Sequence, residues 1–210
     1  KIYSLNLKFK KYFKNYDFHN LYKELLNFCT VDLSAFYFDI RKDVLYCDPK
    51  DSSKRKSTLI LLNIILNSLL KWFAPILSFT TEEIYQLVSK NNKSVHLEKF
   101  LNFPKKFENT KIEKKWNELI MIRDVCNISI EEKRASKEIG SSLEAELSIK
   151  LNEKFKEIVK DIDLSELCIT SKAEVNFDDQ TDVRVLTQKA SGKKCPVCWK
   201  ISLDPCERHP

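Results

Sequence analysis

Apolar residues along this chain recur with two spacings, and the change falls at Gly140. Before it the spacing is helical. Phe18, Leu21, Leu25, Phe28 and Cys29 share one face of a helix predicted over 17–30, with Asp17 as N-cap. "VDLSAFYFDI" follows as a second apolar, aromatic segment, and Pro49 in "CDPKDSS" breaks the pattern, leaving Asp51 or Ser52 to cap the next helix. "STLILLNIILNSLLKWFAPIL" is apolar for long enough to raise the question of a membrane span. Asn63, Asn67 and Lys71, four residues apart, draw a polar stripe that lipid would reject. The stripe predicts instead a central helix of a bundle with one wet edge. Pro75 ends or kinks that helix, and Thr80 with Glu83 predicts a capping box for a short helix over about 81–89. Residues 91–108 read as a loop with short turns. Ile112, Trp116, Leu119, Ile122, Cys126 and Ile130 then form one face of a long helix over about 109–138, with Gly140 in place for its C′ position.

Beyond Gly140 the period becomes two. Leu143, Ala145, Leu147, Ile149 and Leu151 alternate with Glu144, Glu146, Ser148, Lys150 and Asn152, the pattern of a half-buried strand. A helix near 152–162 and three strand-like runs, "ELCIT", "AEVNF" and "VRVLTQ", follow. The expected fold is mainly α: a helical bundle over 1–139, a small α+β unit over 140–190, and a cysteine-rich knuckle over 191–210.

Composition narrows this only slightly. The 210 residues are 43% hydrophobic and 31% charged, which suits a chain with a real core. Thirty-six Lys and Arg against 30 Asp and Glu leave a formal charge of +6, which permits a polyanionic partner without demanding one. The chain opens with Lys1, its one methionine is Met121, and no signal-peptide pattern is present, so a fragment or processed chain is expected. Cys29, Cys47, Cys126 and Cys168 lie scattered in apolar settings. They read as buried thiols of a reducing compartment, the cytoplasm, and the total of 7 cysteines argues against a complete disulfide framework.

The chemistry concentrates in "KASGKKCPVCWKISLDPCERHP". Cys195, Cys198, Cys206 and His209 make Cys-x2-Cys-x7-Cys-x2-His, two pairs able to close a tetrahedral, structural zinc site. Such a site stabilises a segment too short to own a core. Two other readings stand beside it. A redox pair would want Cys-x2-Cys at a strand-to-helix junction, and here it precedes a loop; or the cysteines have no joint role. Lys193, Lys194, Lys200 and Arg208 surround Trp199, and an aromatic between cations is a way to hold unpaired RNA bases. Packing of Trp199 onto the α+β unit is the equal alternative.

Elsewhere, "SKRKS" places Lys54, Arg55 and Lys56 at a helix start, where the dipole disfavours cations. That hints at an anion partner beside the plainer reading of a solvated turn. Glu113, Glu118, Glu131 and Glu132 intersperse Lys111, Lys114, Lys115, Arg134 and Lys137, which reads as a solvated face. The two glycines are far apart, so no phosphate loop is formed, and His19 and His96 have no nucleophile near them in sequence. No catalytic residue is assigned.

Several stretches resemble the anticodon-binding domain of bacterial-type isoleucyl-tRNA synthetases: "YDFHNLYKELLNFCTVDLSAFYFDIRKDVLYCD", "KWFAPILSFTTEEIY" and "EKRASKEIGSSLEAEL". "KCPVCWK" looks like the start of that family's zinc-binding segment, although the family's usual two Cys-x2-Cys pairs stand farther apart and end in cysteine. The resemblance implies part of a class I ligase that joins isoleucine to its tRNA. ATP, Mg and the HIGH and KMSKS motifs would belong to an upstream catalytic domain that this chain does not carry. It implies a cytoplasmic monomer that binds tRNA and its own upstream domain, and neither membrane nor DNA. Trp199 would meet an anticodon-loop base, Lys193, Lys194 and Lys200 its backbone, and Arg55 and Lys56 would be further RNA contacts. A stand-alone zinc-knuckle RNA-binding module and a cysteine-based redox protein are the competing readings.

Overall fold

Helix begins earlier than the apolar pattern foretells: α1 runs from Ile2 to Lys14. Ile2, Leu5, Phe9 and Tyr12 face the core at helical spacing, but Asn6 is buried among them, and this polar interruption hides the face from a hydropathy reading. Trp72 Nε1 donates to Asn6 Oδ1 at 3.1 Å, and Asn6 Nδ2 donates to the Leu101 carbonyl at 2.8 Å, so the buried amide is satisfied.

The computed structural model describes residues 1–89, 93–179, 182–206, 208 and 209. They fall into two compact units, Lys1–Asn109 and Thr110–Pro210. In the first, α2 (Phe18–Asn27) starts at Asp17, whose carboxylate accepts the Asn20 N–H. The chain then widens into a π-helix over Phe28–Phe38 before α3 (Asp39–Cys47). The buried residues explain the widening. Leu21, Leu25 and Phe28 step at α spacing, but the next buried residue, Leu33, lies five on, a step that suits i→i+5 winding. Helix α4 (Ser53–Phe73) is capped by Ser52 and stops before Pro75, both as the sequence indicates. Leu21, Leu25, Phe28, Leu33, Ile65 and Trp72 form the core with Phe9, whose ring meets Trp72 edge-to-face at 4.9 Å.

Helix α5 (Ser78–Val88) starts three residues before the expected site, and no capping box forms at Thr80. A turn through Ile76 and Leu77, closed onto the Phe73 carbonyl, nucleates it earlier. Glu82 serves the following loop, accepting from Ser94 Oγ and the Val95 N–H. Residues 91 and 92 of the expected loop lie outside the described residues. The polar stripe on α4 is wet only at first. Asn67 bonds Asn63 near the surface, whereas Lys71 is largely buried and paired with Glu98 at 3.2 Å.

The second unit holds α6 (Thr110–Ala135), a three-stranded sheet and the cysteine-rich segment. This division falls ahead of residue 139, where the sequence pattern places the end of the bundle. Leu119, Ile122, Cys126 and Ile130 are buried within this unit, and Ser129 Oγ meets Thr187 Oγ1 at 2.7 Å, so α6 is the cover of the sheet. Ile112, expected on that face, is exposed near the helix start. The helix ends at Ala135, and Lys137, not Gly140, is the left-handed residue that closes it. Lys137 takes φ 60°, its N–H bonds the Arg134 carbonyl, and Glu138 N–H bonds the Lys133 carbonyl.

Strand β1 (Ala145–Leu151) alternates inward and outward as foretold. After a turn at Glu153–Phe155 come the one-turn α7 (Lys156–Val159) and α8 (Leu164–Cys168). "ELCIT" is thus helical and not a strand. Asp163 accepts the Ser165 and Glu166 N–H groups, and Ile169 closes the helix at φ 56°, so local capping overrides β propensity. Strand β2 (Lys172–Phe177) pairs parallel with β1 and β3 (Val183–Lys189) pairs antiparallel, giving the order β2-β1-β3. Architecture is mainly α, with a small α+β unit bearing a knuckle. No helix among the described residues is long and apolar enough to cross a membrane.

Candidate metal centre

Two short strands set up the knuckle. β4 (Lys193–Lys194) and β5 (Ile201–Ser202) pair antiparallel and hold the Cys-x2-Cys turn between them. Gly192 precedes β4 at φ 128°, and a Cβ there would lie 2.1 Å from the Ser202 carbonyl oxygen, so glycine alone fits this approach. Within the turn, Cys195 N–H donates to the Lys200 carbonyl at 2.9 Å and Trp199 N–H to the Cys195 carbonyl at 3.1 Å.

The turn aims backbone donors at sulfur. The Cys198 and Val197 N–H groups bring the Cys195 thiol down to about 6, which favours the thiolate that a metal ion needs. Burial pushes Cys198 up to about 11, against the Lys200 N–H. Burial also opposes ionisation of Cys206, but the Arg208 N–H and His209 outweigh it and lower the thiol below its ordinary range.

The four ligand atoms of Cys195, Cys198, Cys206 and His209 lie within 4.8 Å of one another. Cys198 Sγ is 3.8 Å from Cys206 Sγ, and His209 Nδ1 is 3.6 Å from Cys195 Sγ and 3.4 Å from Cys206 Sγ. A tetrahedral ion with Zn–S of about 2.3 Å and Zn–N of about 2.0–2.1 Å needs S···S edges of about 3.8 Å and S···N edges of about 3.6 Å. The donor set therefore fits a closed Cys3His site. These four are the group of potential metal ligands found among the described residues. A bound divalent ion would keep every coordinating thiol ionised, Cys198 included.

The remaining candidates separate. Trp199 is 58% exposed at φ 62°, and Lys194 Nζ stands 5.3 Å from its ring centroid. Lys193 and Lys194 are exposed on β4. Lys200 turns inward and reaches Ser165 Oγ at 3.4 Å, beside Asp163. Arg55 Nη1 donates to the Asp48 carbonyl at 2.9 Å and so joins the end of α3 to the start of α4, while Lys56 is exposed. Sequence reasoning passes over Ser171. Its hydroxyl donates to the Leu143 carbonyl and accepts the Ile201 N–H, linking β5 to the α+β unit. No local motif marks it; Gly192, by contrast, is one of two glycines and stands three residues before the first ligand. Of the other thiols, Cys126 and Cys168 are buried as expected, whereas Cys29 and Cys47 are only half-buried.

Residues 1–151 match the family model described as the anticodon-binding domain of tRNA ligase. The chain is similar throughout its length to the isoleucine–tRNA ligase of Pelagibacter ubique, with 64% identity over 209 residues. It is 37% identical over 203 residues to the enzyme of that name in Bartonella henselae and 39% identical over 204 residues to that of Rhodopseudomonas palustris. These alignments cover 100%, 91% and 90% of the chain but 23%, 21% and 20% of the relatives, so it spans less than a quarter of their length.

Proposed function

The chain belongs to the anticodon-binding domain family of tRNA ligases, and from that premise we propose that it is the tRNA-binding part of an isoleucine–tRNA ligase. The observation that carries this is its 64% identity, from end to end, with a segment of such an enzyme. ATP-dependent attachment of isoleucine is the work of the rest of the longer protein, and no reacting group is assigned here. The contribution of this part is to select and orient a tRNA, which raises the specificity of chemistry carried out at a distance. The thiol-rich centre suits the reducing cytoplasm.

The knuckle carries one structural zinc on Cys195, Cys198, Cys206 and His209. It presents Trp199 to an unpaired base and Lys193 and Lys194 to phosphate, with Lys56 on α4 as a further phosphate contact. Lys200 is better read as a positioning residue, since its ammonium is turned to Ser165. Arg55 belongs to the fold for the same kind of reason.

Fluorescence anisotropy tests the reading. An isoleucine-accepting tRNA transcript should bind the 210-residue chain more tightly than the same transcript with its anticodon replaced. Equal affinity for both would remove the anticodon reading, and one zinc per chain after dialysis, by elemental analysis, is the expected metal result.

A further inference from the structure

The α+β unit carries a second concave surface that the knuckle does not use. A cleft of about 460 Å³ is lined by Val159, Ile162, Val175 and Phe177, with Lys156, Glu157 and Lys160 also on its wall. Lys156 Nζ lies 5.6 Å from the Phe177 ring centroid. Lys115 of α6 donates to the Lys160 carbonyl at 3.3 Å, which brings a third ammonium to the end of α7. An aromatic ring and apolar wall beside several cations are the elements that hold one unpaired nucleotide, the base on the ring and the phosphate on the lysines.

We propose that this cleft is a second RNA contact, taking an unpaired nucleotide of the tRNA through Phe177, Lys156 and Lys160. The proposal rests on the reading of the chain as a tRNA-binding part. Three ammonium groups, Lys115, Lys156 and Lys160, stand here against the carboxylates of Glu153 and Glu157. Lys156 pairs with Glu153 at 3.4 Å and Lys160 with Glu157 at 3.7 Å, but all four side chains are largely exposed. Such pairs are weak, so exchanging a carboxylate for a phosphate costs little. An acidic protein segment would find the same cations, but the ring and cleft favour a nucleobase, and the similarity of the whole chain to a tRNA ligase supplies the RNA.

Two variants of the 210-residue chain, each checked for an unchanged melting temperature, test the site against the tRNA transcript. K156Q/K160Q should make the slope of log affinity against log salt shallower by about 1 to 1.5, the loss of two phosphate contacts. F177L keeps the wall apolar but removes the ring, and should weaken binding about tenfold, the size of one stacking contact. Unchanged slope and affinity in both variants, with Trp199→Ala still weakening binding, would overturn the cleft and leave the tRNA reading standing. An acidic protein segment would then be its better occupant. A parent chain that fails to bind the transcript would overturn both.

Discussion

Trp199 holds its backbone at φ 62°, in the left-handed region where a bulky residue is uncommon. The turn that wraps Cys195 imposes this conformation, and the ring is held outward beside Lys194. Trp199→Gly is therefore a clean probe, because glycine takes the same backbone without strain. The variant should keep one zinc per chain and lose about 1–3 kcal/mol of tRNA affinity, measured by anisotropy. If zinc is lost together with RNA binding, the ring is a packing residue of the knuckle. Gly192 makes the opposite case. Its φ of 128° and the 2.1 Å approach to Ser202 leave no place for a methyl group, so Gly192→Ala should open the β4–β5 pairing. Elemental analysis should then find well under one zinc per chain, with the helices of residues 1–109 intact by circular dichroism. Both positions lie close in sequence to the cysteines. Trp199 stands out there as an aromatic between cations, but its backbone strain and the neighbour of Gly192 do not, since Ser202 arrives from the far side of the hairpin.

At the level of elements, the knuckle is attached and not merely appended. Ser171, just before β2, accepts the Ile201 N–H of β5 and donates to the Leu143 carbonyl, and Lys200 meets Ser165 at the start of α8. Ser171→Ala would leave a backbone N–H and a carbonyl without that hydroxyl, at a cost of about 1–3 kcal/mol. Hydrogen exchange at Ile201 should accelerate while exchange in α1–α5 stays as in the parent. Unchanged protection at Ile201 would show that the hairpin holds itself. Elements with a strong periodic face were legible in the sequence: α4, α6 and β1 occupy the expected stretches, and Pro75 stops α4 as chain geometry requires. Elements governed by capping were not. "ELCIT" became α8 because Asp163 caps it and Ile169 accepts a left-handed φ, while α5 began early because of a turn at Phe73–Leu77.

Across the whole molecule, the chain divides at residues 109 and 110, within the span of the family match. Each side has its own buried core, one around Trp72 and one of α6 on the sheet. Expressed separately, residues 1–109 and residues 110–210 should each melt cooperatively by circular dichroism, and zinc should remain only with the second. A fragment 110–210 that stays unfolded would show that α6 needs the bundle. The sequence by itself determined the fold class, the family and which four side chains, Cys195, Cys198, Cys206 and His209, are candidates to share one ion, because residue spacing and apolar period are local properties of the chain. Only the tertiary structure decided that α6 covers the sheet, that Lys200 reaches Ser165 and Arg55 the Asp48 carbonyl, and that Lys156, Lys160 and Phe177 share one cleft. Those facts depend on which side chains distant in sequence come together, and a helical face looks the same in sequence whichever partner it buries against.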